Sequence, residues 1–168
     1  MDVYGPLEYL TIYGYTHTLK LYIIAATMDP VSTKNRMFAA QNSTTNFAVL
    51  PTHTFATVPP IDVLLIPGGL GERSPVSELQ SAIDYVERVT PDLQYLLTVC
   101  TGAGIAARAG VLDGKFATTN KQAWNGTITR GPKTKWVAKA RWVVDGNVWT
   151  SSGVQAGSKL PFHSLLSF

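Results

Sequence analysis

The chain has 168 residues, with 45% hydrophobic and 15% charged side chains, which suits one folded domain and excludes a disordered chain. Its single cysteine excludes an internal disulfide and any metal site built from several cysteines. The net charge of +3 is scattered apart from a loose basic cluster in residues 130–141, which we interpret as a solvated hairpin face, so no nucleic-acid partner is expected. With no signal-peptide pattern and no membrane-length apolar run, we expect a cytoplasmic protein with a reduced thiol and no membrane partner.

Three apolar runs have the length and composition of buried strands. The first, Leu19–Ala26, precedes a region rich in Thr, Asn, Ser and Pro in which Phe47–Leu50 and Thr54–Val58 are predicted as short strands. The second run is Ile61–Ile66, and the third is Tyr95–Val99. A predicted hairpin separates the first run from the second, and a helical pattern separates the second from the third.

The first predicted helix begins at Ser74 and Pro75, because serine is a favoured N-cap and proline a favoured first helical residue. Its apolar residues recur at helical spacing as far as Val86, so one face is expected to pack inward. A second helix is predicted over Gly102–Ala109. A hairpin with a tight glycine turn is predicted from Lys139–Val144, Asp145-Gly146 and Asn147–Ser151.

Alternating apolar strands and helices predict an α/β fold with a mostly parallel sheet and helices on both faces. Binding sites in such sheets form at the carboxyl ends of the strands. The Gly68-Gly69 turn and Cys100 each follow a predicted strand directly, so both are expected at this edge of the sheet.

Cys100 lies between a buried strand and a glycine-rich helix start. The free N–H groups and positive end of that helix are expected to favour the thiolate, lowering the pKa from its ordinary value of about 8.5. Backbone donors from Thr101, Gly68 and Gly69 suit a negative charge that develops in a transition state. We therefore interpret Cys100 as a nucleophile rather than as a buried, inert cysteine.

A nucleophile needs a group that moves its proton. None of the histidines (His17, His53 and His163) follows a predicted strand. Carboxylates are the better candidates, and Asp2 and Glu8 flank a Gly-Pro pair near the amino end. Asp2 would also fit a helix N-cap, and Glu8 an exposed carboxylate in the first turn of a helix. The residues alone do not decide between these structural roles and a catalytic one.

Four stretches of the chain carry motifs that form a specific combination when they occur together in this order. They are Asp2–Glu8, Pro59–Gly69, Val99–Thr119, and Trp142–Gly146 with Trp149–Gly153. In these stretches the chain resembles the ThiJ/PfpI superfamily, a class I glutamine amidotransferase-like group, and in particular its isonitrile hydratase-like branch. The resemblance covers most of the chain up to Gly157.

The resemblance implies a flavodoxin-like fold for residues 1–157, a homodimer, a small-molecule substrate, and no metal or organic cofactor. It also implies hydration of an isocyanide to an N-substituted formamide. In that reaction the Cys100 thiolate attacks the terminal carbon to give a thioimidate, Asp2 moves protons and orients water, and Thr101 hydrogen-bonds the reacting group.

Three features of the chain depart from the family pattern. Many relatives have a histidine after the paired threonines, where this chain has Asn120, so we expect Asn120 and Glu8 to support the site without a histidine-dependent step. The family also has an apolar strand before the aspartate and an amphipathic helix after Gly157. Here we expect a domain truncated at both ends, without that first strand and last helix, in which residues 158–168 form an atypical tail.

Two other functions fit the sequence beside the isonitrile hydratase-like hypothesis. One is glyoxalase- or deglycase-like activity on α-oxoaldehydes, although this chemistry would ordinarily use a glutamate or histidine partner. The other is a non-enzymatic sensor or an inactive truncated fragment, since an exposed low-pKa thiol also suits a peroxide sensor.

Overall fold

The main sheet of the computed structural model, which describes residues 2–34 and 44–157, is mostly parallel. In this sheet Val63–Ile66 (β5) pairs in parallel with Tyr95–Val99 (β6), and β6 pairs in parallel with Val148–Ser151 (β10). β10 pairs antiparallel with Trp142–Asp145 (β9). This sheet, with its helices, confirms the predicted α/β, flavodoxin-like fold. In spatial order the strands are β5 (Val63–Ile66), β6 (Tyr95–Val99), β10 (Val148–Ser151) and β9 (Trp142–Asp145).

The other described strands are two residues long and form three separate pairs. They are β1 (Ile24–Ala25) with β4 (His53–Thr54), β2 (Val31–Ser32) with β3 (Ala48–Val49), and β7 (Phe116–Ala117) with β8 (Lys135–Trp136). The described α-helices are α1 (Tyr4–Tyr13), α2 (Val76–Val89), α3 (Ala103–Arg108), α4 (Trp124–Ile128) and α5 (Val154–Gly157).

β6 matches its predicted bounds and lies inside the sheet between β5 and β10. Leu96, Thr98 and Val99 are fully buried. Both faces of this parallel strand are covered, which explains why its sequence is an almost continuous apolar run. On one side, the amphipathic helix α2 contributes Ile83 and Val86 to the core. The strand therefore delivers the residue that follows it to a fixed position at the carboxyl edge of the sheet.

The strand prediction for Leu19–Ala26 is wrong over most of its length. Only Ile24–Ala25 is a strand, and it pairs with β4 rather than with the main sheet. Leu19 and Leu21 are 40% and 55% exposed, and none of the sheets formed by the described residues places a strand beside them. An apolar run predicts burial, whereas a strand also requires a partner edge.

Other predicted elements differ from the structure in their bounds. Phe47–Leu50 is a strand only at Ala48–Val49. Thr54–Val58 contributes only Thr54 to β4, because the amides of Thr57 and Val58 turn back to the Thr54 carbonyl at 3.1 Å. Helix α2 begins at Val76 with Pro75 as its N-cap, one residue later than predicted. In the hairpin, the first strand begins at Trp142 rather than at Lys139, while Gly146 has the predicted positive φ, +60°.

The free edge of β5 faces a cavity of about 1020 Å³. Consecutive residues line it on both sides, 59–69 from the β5 region and 18–22 from the segment that lacks strand pairing. Since side chains alternate between the two faces of a strand, a lining that includes every residue of β5 shows that the cavity faces the strand's edge. The expected absence of the family's first strand stays a prediction.

The predicted tail, residues 158–168, lies outside the described residues, so its separation from a domain of residues 1–157 stays a prediction. The expected absence of the family's last helix also concerns these residues and stays a prediction. None of the helices described in residues 2–34 and 44–157 has the length and apolar character needed to cross a bilayer.

Candidate active site

Cys100 lies on a sharp turn directly after β6. Its φ is +58°, and among the described residues it is the one non-glycine with a positive φ, a conformation that L-residues rarely adopt. Residues Cys100–Gly102 form a 3₁₀ turn that leads into α3, so the helix starts at Ala103 rather than at Gly102 as predicted. The hydroxyl of Thr119 donates to the Cys100 carbonyl at 2.9 Å and helps to hold this turn.

Glycine is required where the strand ends of β5 and β6 approach each other. A Cβ on Gly102 would lie 2.2 Å from the carbonyl oxygen of Ile66. A Cβ on Gly68 would lie 2.6 Å from Asp2 Oδ2, 2.7 Å from Cys100 Cβ and 2.7 Å from the Thr101 nitrogen. Asp2, Cys100 and Thr101 are therefore brought together around Gly68, and a side chain at this position would displace them.

The Cys100 thiol is half-buried and interacts with three groups. The Thr101 amide and the side chains of Asp2 and Asn120 all hydrogen-bond with it. Burial is the largest influence and raises the pKa of the thiol, and the negative charge of Asp2 raises it further. The Thr101 N–H and the Asn120 amide lower it, but the net pKa lies above the ordinary value. The predicted lowering of the thiol pKa by the helix start is therefore wrong, because burial and Asp2 outweigh the backbone donor.

Thr101 joins the two strand ends through its hydroxyl. The Gly69 amide donates to Thr101 Oγ1 at 3.0 Å, and the hydroxyl lies 3.3 Å from the Gly69 carbonyl oxygen, which it can donate to. Thr101 is 6% exposed, so these bonds are shielded from water. The Gly69 N–H, which we predicted as a backbone donor of the site, points to the Thr101 hydroxyl, whereas the Thr101 N–H points to the thiol.

Asn120 follows the paired threonines Thr118 and Thr119, and two hydrogen bonds fix its side-chain amide. Its side-chain oxygen accepts from the amide of Ala123 at 3.0 Å, and its side-chain nitrogen donates to the Ser152 carbonyl at 3.4 Å. These contacts fix the amide group that also bonds to Cys100. Asn120 therefore offers the thiol a neutral hydrogen-bond donor that does not titrate.

The other described candidates, Glu8, His17 and His53, are not among the groups that act on the thiol. Glu8 is exposed on α1, and it is not one of the groups that act on Cys100. His17 stacks on Tyr13 with ring centroids 3.8 Å apart, and the His53 ring lies edge-on to another aromatic ring. His163 falls outside the described residues.

Two buried residues near the site were missed by the sequence reasoning. Thr119 was seen only as part of a motif, although it is fully buried and bonds to the Cys100 carbonyl. Glu72 was not singled out, although it is 6% exposed and lies three residues after Gly69. The adjacent threonines Thr118 and Thr119 in the motif were a signal that could have identified Thr119. A glutamate after a glycine turn gives no sign in the sequence that it is buried.

The chain has relatives among known families and curated proteins. The model of the DJ-1/PfpI family matches residues 1–165. Isonitrile hydratase of Pseudomonas putida is 36% identical over 157 residues, which cover 94% of this chain and 61% of that protein. An HTH-type transcriptional regulator of Mycobacterium tuberculosis is 43% identical over 53 residues, which cover 32% of this chain and 20% of the regulator.

Solved structures show the same fold. A ThiJ/PfpI family protein from Pseudomonas syringae has 30% identity and a TM-score of 0.69, with 94% of this chain and 59% of that chain covered. An AraC family transcriptional regulator from Pseudomonas putida has a TM-score of 0.73 at 17% identity, over 96% of this chain and 81% of the other. The chain spans about three fifths of the length of the isonitrile hydratase and of the Pseudomonas syringae protein.

Proposed function

Because the chain belongs to the DJ-1/PfpI family, we propose that it is a cysteine-dependent hydratase that converts a small isocyanide to an N-substituted formamide. The observation that carries the proposal is the convergence of Asp2, Cys100 and Thr101 around Gly68. The 36% identity to an isonitrile hydratase supports this reaction class. The three residues have the roles of proton carrier, nucleophile and hydrogen-bond donor.

In the first step the sulfur of Cys100 bonds to the terminal carbon of R–N≡C, and Asp2 receives the thiol proton. Asp2 then gives this proton to the same carbon, which yields the thioimidate R–N=CH–S–Cys100. The amide of Thr101 lies at the thiol and is placed to donate to the reacting group. No proton is lost, since the one taken from sulfur ends on carbon.

In the second step water adds to the thioimidate carbon while Asp2 accepts and returns its proton. The tetrahedral adduct R–NH–CH(OH)–S–Cys100 then breaks its carbon–sulfur bond and releases R–NH–CHO. Cys100 regains a proton as it leaves. The sum is the isocyanide plus one water giving the formamide, with Cys100 and Asp2 restored.

The raised pKa of Cys100 supports a mechanism in which attack is coupled to proton transfer. A thiol that stays protonated near Asp2 keeps the proton that the carbon must later receive. Asn120 completes the thiol's surroundings without a titrating imidazole. A histidine-dependent route would need a different residue at this position.

The test is an assay of the purified protein with an alkyl isocyanide and, in parallel, with methylglyoxal. We expect formamide to appear in the first reaction and no lactate in the second. Lactate formation without formamide would support the glyoxalase-like alternative instead. No turnover of either compound by the folded protein would reject the hydratase and favour the non-enzymatic alternative.

We also propose that the protein is cytoplasmic and that it is a homodimer; the family resemblance implies the homodimer. Exposed apolar side chains near the amino end support a subunit interface, with Tyr4 52%, Ile12 58% and Tyr15 81% exposed. Light scattering after size exclusion is expected to give twice the chain mass of 18.2 kDa. A monomer at micromolar concentration would reject the dimer.

A further inference from the structure

Glu72 is a buried charge in an otherwise exposed turn. The segment Leu70–Arg73 is a 3₁₀ turn that follows β5 and Gly69, and Glu72 is 6% exposed whereas Leu70 is 42% exposed. No atom lies within 4 Å of the position that a Cβ would take on Gly69 or Gly71. Contacts at the two glycines therefore do not hold this turn in place. The buried side chain of the turn is the carboxylate of Glu72.

Two arginines from different elements hold Glu72. Its carboxylate is in direct contact with Arg130, which follows α4, and Oε2 lies 3.7 Å from Nη1 of Arg108 in α3. The same Arg108 nitrogen donates to the main-chain carbonyl of Glu72 at 2.9 Å. Burial lowers the pKa of both guanidinium groups, but they remain charged at neutral pH. The turn is thus fastened through one residue, by side chain and main chain together.

A chain of hydrogen bonds leads from this anchor to the thiol. The Glu72 amide donates to the Gly69 carbonyl at 3.4 Å, and the Gly69 amide donates to Thr101 Oγ1 at 3.0 Å. Thr101 in turn directs its own amide at Cys100. The anchor also packs on the helix that Cys100 precedes, since a Cβ on Gly104 would lie 3.3 Å from Glu72 Oε2 and 3.2 Å from Arg130 Nη1.

We propose that Glu72, clamped by Arg108 and Arg130, is a positioning residue that holds the Gly69 turn and, through Thr101, the hydrogen-bond donor at Cys100. This role rests on the proposed function only for its effect on turnover. Its effect on the thiol itself can be measured without any substrate. A buried ion pair is weak evidence for stability, because well-packed apolar residues often replace one without loss. Its position between the turn and the thiol is the reason to assign it a role in the site.

The first test replaces Glu72 with glutamine and measures alkylation of Cys100 by iodoacetamide across pH. We expect the apparent pKa of alkylation to rise, since a displaced Thr101 amide no longer stabilises the thiolate, and the rate at pH 8 to fall about threefold or more. For isocyanide hydration we expect kcat to fall about tenfold to a hundredfold with little change in KM. The matched control is Glu87→Gln, which removes an exposed carboxylate from α2.

The second test separates positioning from stability. The pair Glu72→Leu with Arg130→Met is expected to keep a melting temperature near that of the wild type while it retains the altered alkylation profile. If the folded variants alkylate with the wild-type pH profile, or if the neutral pair restores it, Glu72 is structural and the proposal is overturned. If the wild type turns over no isocyanide, the hydratase proposal fails while the alkylation result still decides the role of Glu72.

Discussion

The Asp2 carboxylate faces the Cys100 thiol, hydrogen-bonds with it, and raises its pKa. The two groups meet over Gly68, where Asp2 Oδ2 lies 2.6 Å from the position of an absent Cβ. A carboxylate beside the thiol stabilises its protonated form. The proton therefore stays on the sulfur until the sulfur attacks an electrophile. The same carboxylate therefore raises the pKa of the thiol and, in the proposed hydration, carries the proton that moves from sulfur to carbon.

Asp2→Asn is expected to change thiol reactivity and turnover in opposite directions. Removal of the negative charge lowers the pKa of Cys100, so alkylation by iodoacetamide at pH 7.5 becomes faster. Hydration of an isocyanide is expected to fall about 10²- to 10⁴-fold, because the proton carrier is gone. Glu8→Gln, on the exposed surface of α1, serves as the control and leaves both rates unchanged. Slower alkylation in Asp2→Asn would refute the electrostatic role.

Gly68→Ala is expected to disrupt the site without changing any polar group. The new methyl group would lie 2.6 to 2.7 Å from atoms of Asp2, Cys100 and Thr101, which must move apart. Displacement on this scale is expected to lower kcat about a hundredfold. The control is Gly71→Ala, where the Cβ position has no atom within 4 Å. Equal activity in the two variants would mean that the close approach at Gly68 does not matter.

Thr119→Val is expected to loosen the strained turn at Cys100. Valine keeps the shape of the fully buried side chain but removes the 2.9 Å hydrogen bond to the Cys100 carbonyl. We expect the free energy of unfolding to fall by about 1 to 3 kcal/mol, since a shielded carbonyl loses its partner. Urea denaturation measures this loss. Thr129→Val removes an exposed hydrogen bond of the same length, and it should cost less; a larger loss there would contradict the account.

The raised pKa of Cys100 also predicts how stability depends on pH. The pKa of the thiol in the folded protein lies above its ordinary value, so the protonated thiol is favoured in the folded state. This contribution to stability is complete below the ordinary pKa and is lost as pH rises through the folded pKa. Relative to Cys100→Ala, the wild type should therefore lose stability in urea titrations as pH rises above the ordinary thiol pKa and through the folded one. Parallel stability curves for the two proteins would show that the thiol pKa is not raised.

Local sequence patterns predicted the turn at Cys100 well, because the residues that form it are contiguous in the chain. The apolar run Tyr95–Val99 forms a strand with those bounds, and the glycines after Cys100 allow the close approach of Gly102 to Ile66. The run Leu19–Ala26 failed for the complementary reason, since a strand depends on a partner elsewhere in the chain.

The partners of Cys100 were less accessible to sequence reasoning. Asp2 lies 98 positions before Cys100 in the numbering, and only the family resemblance distinguished it from Glu8. The direction of the thiol pKa depends on burial and on Asp2, which are products of tertiary structure. The anchor at Glu72 joins an exposed turn to two arginines from separate elements, and no spacing in the sequence indicates this arrangement.

The most direct test of the central claim compares the wild type with Cys100→Ala in hydration of one alkyl isocyanide. Both proteins are first shown to be folded by their thermal transitions, and formamide is then followed by chromatography. We predict formamide from the wild type and only the uncatalysed background from Cys100→Ala. Formamide production by the folded alanine variant at the wild-type rate would contradict the assignment of Cys100 as the nucleophile.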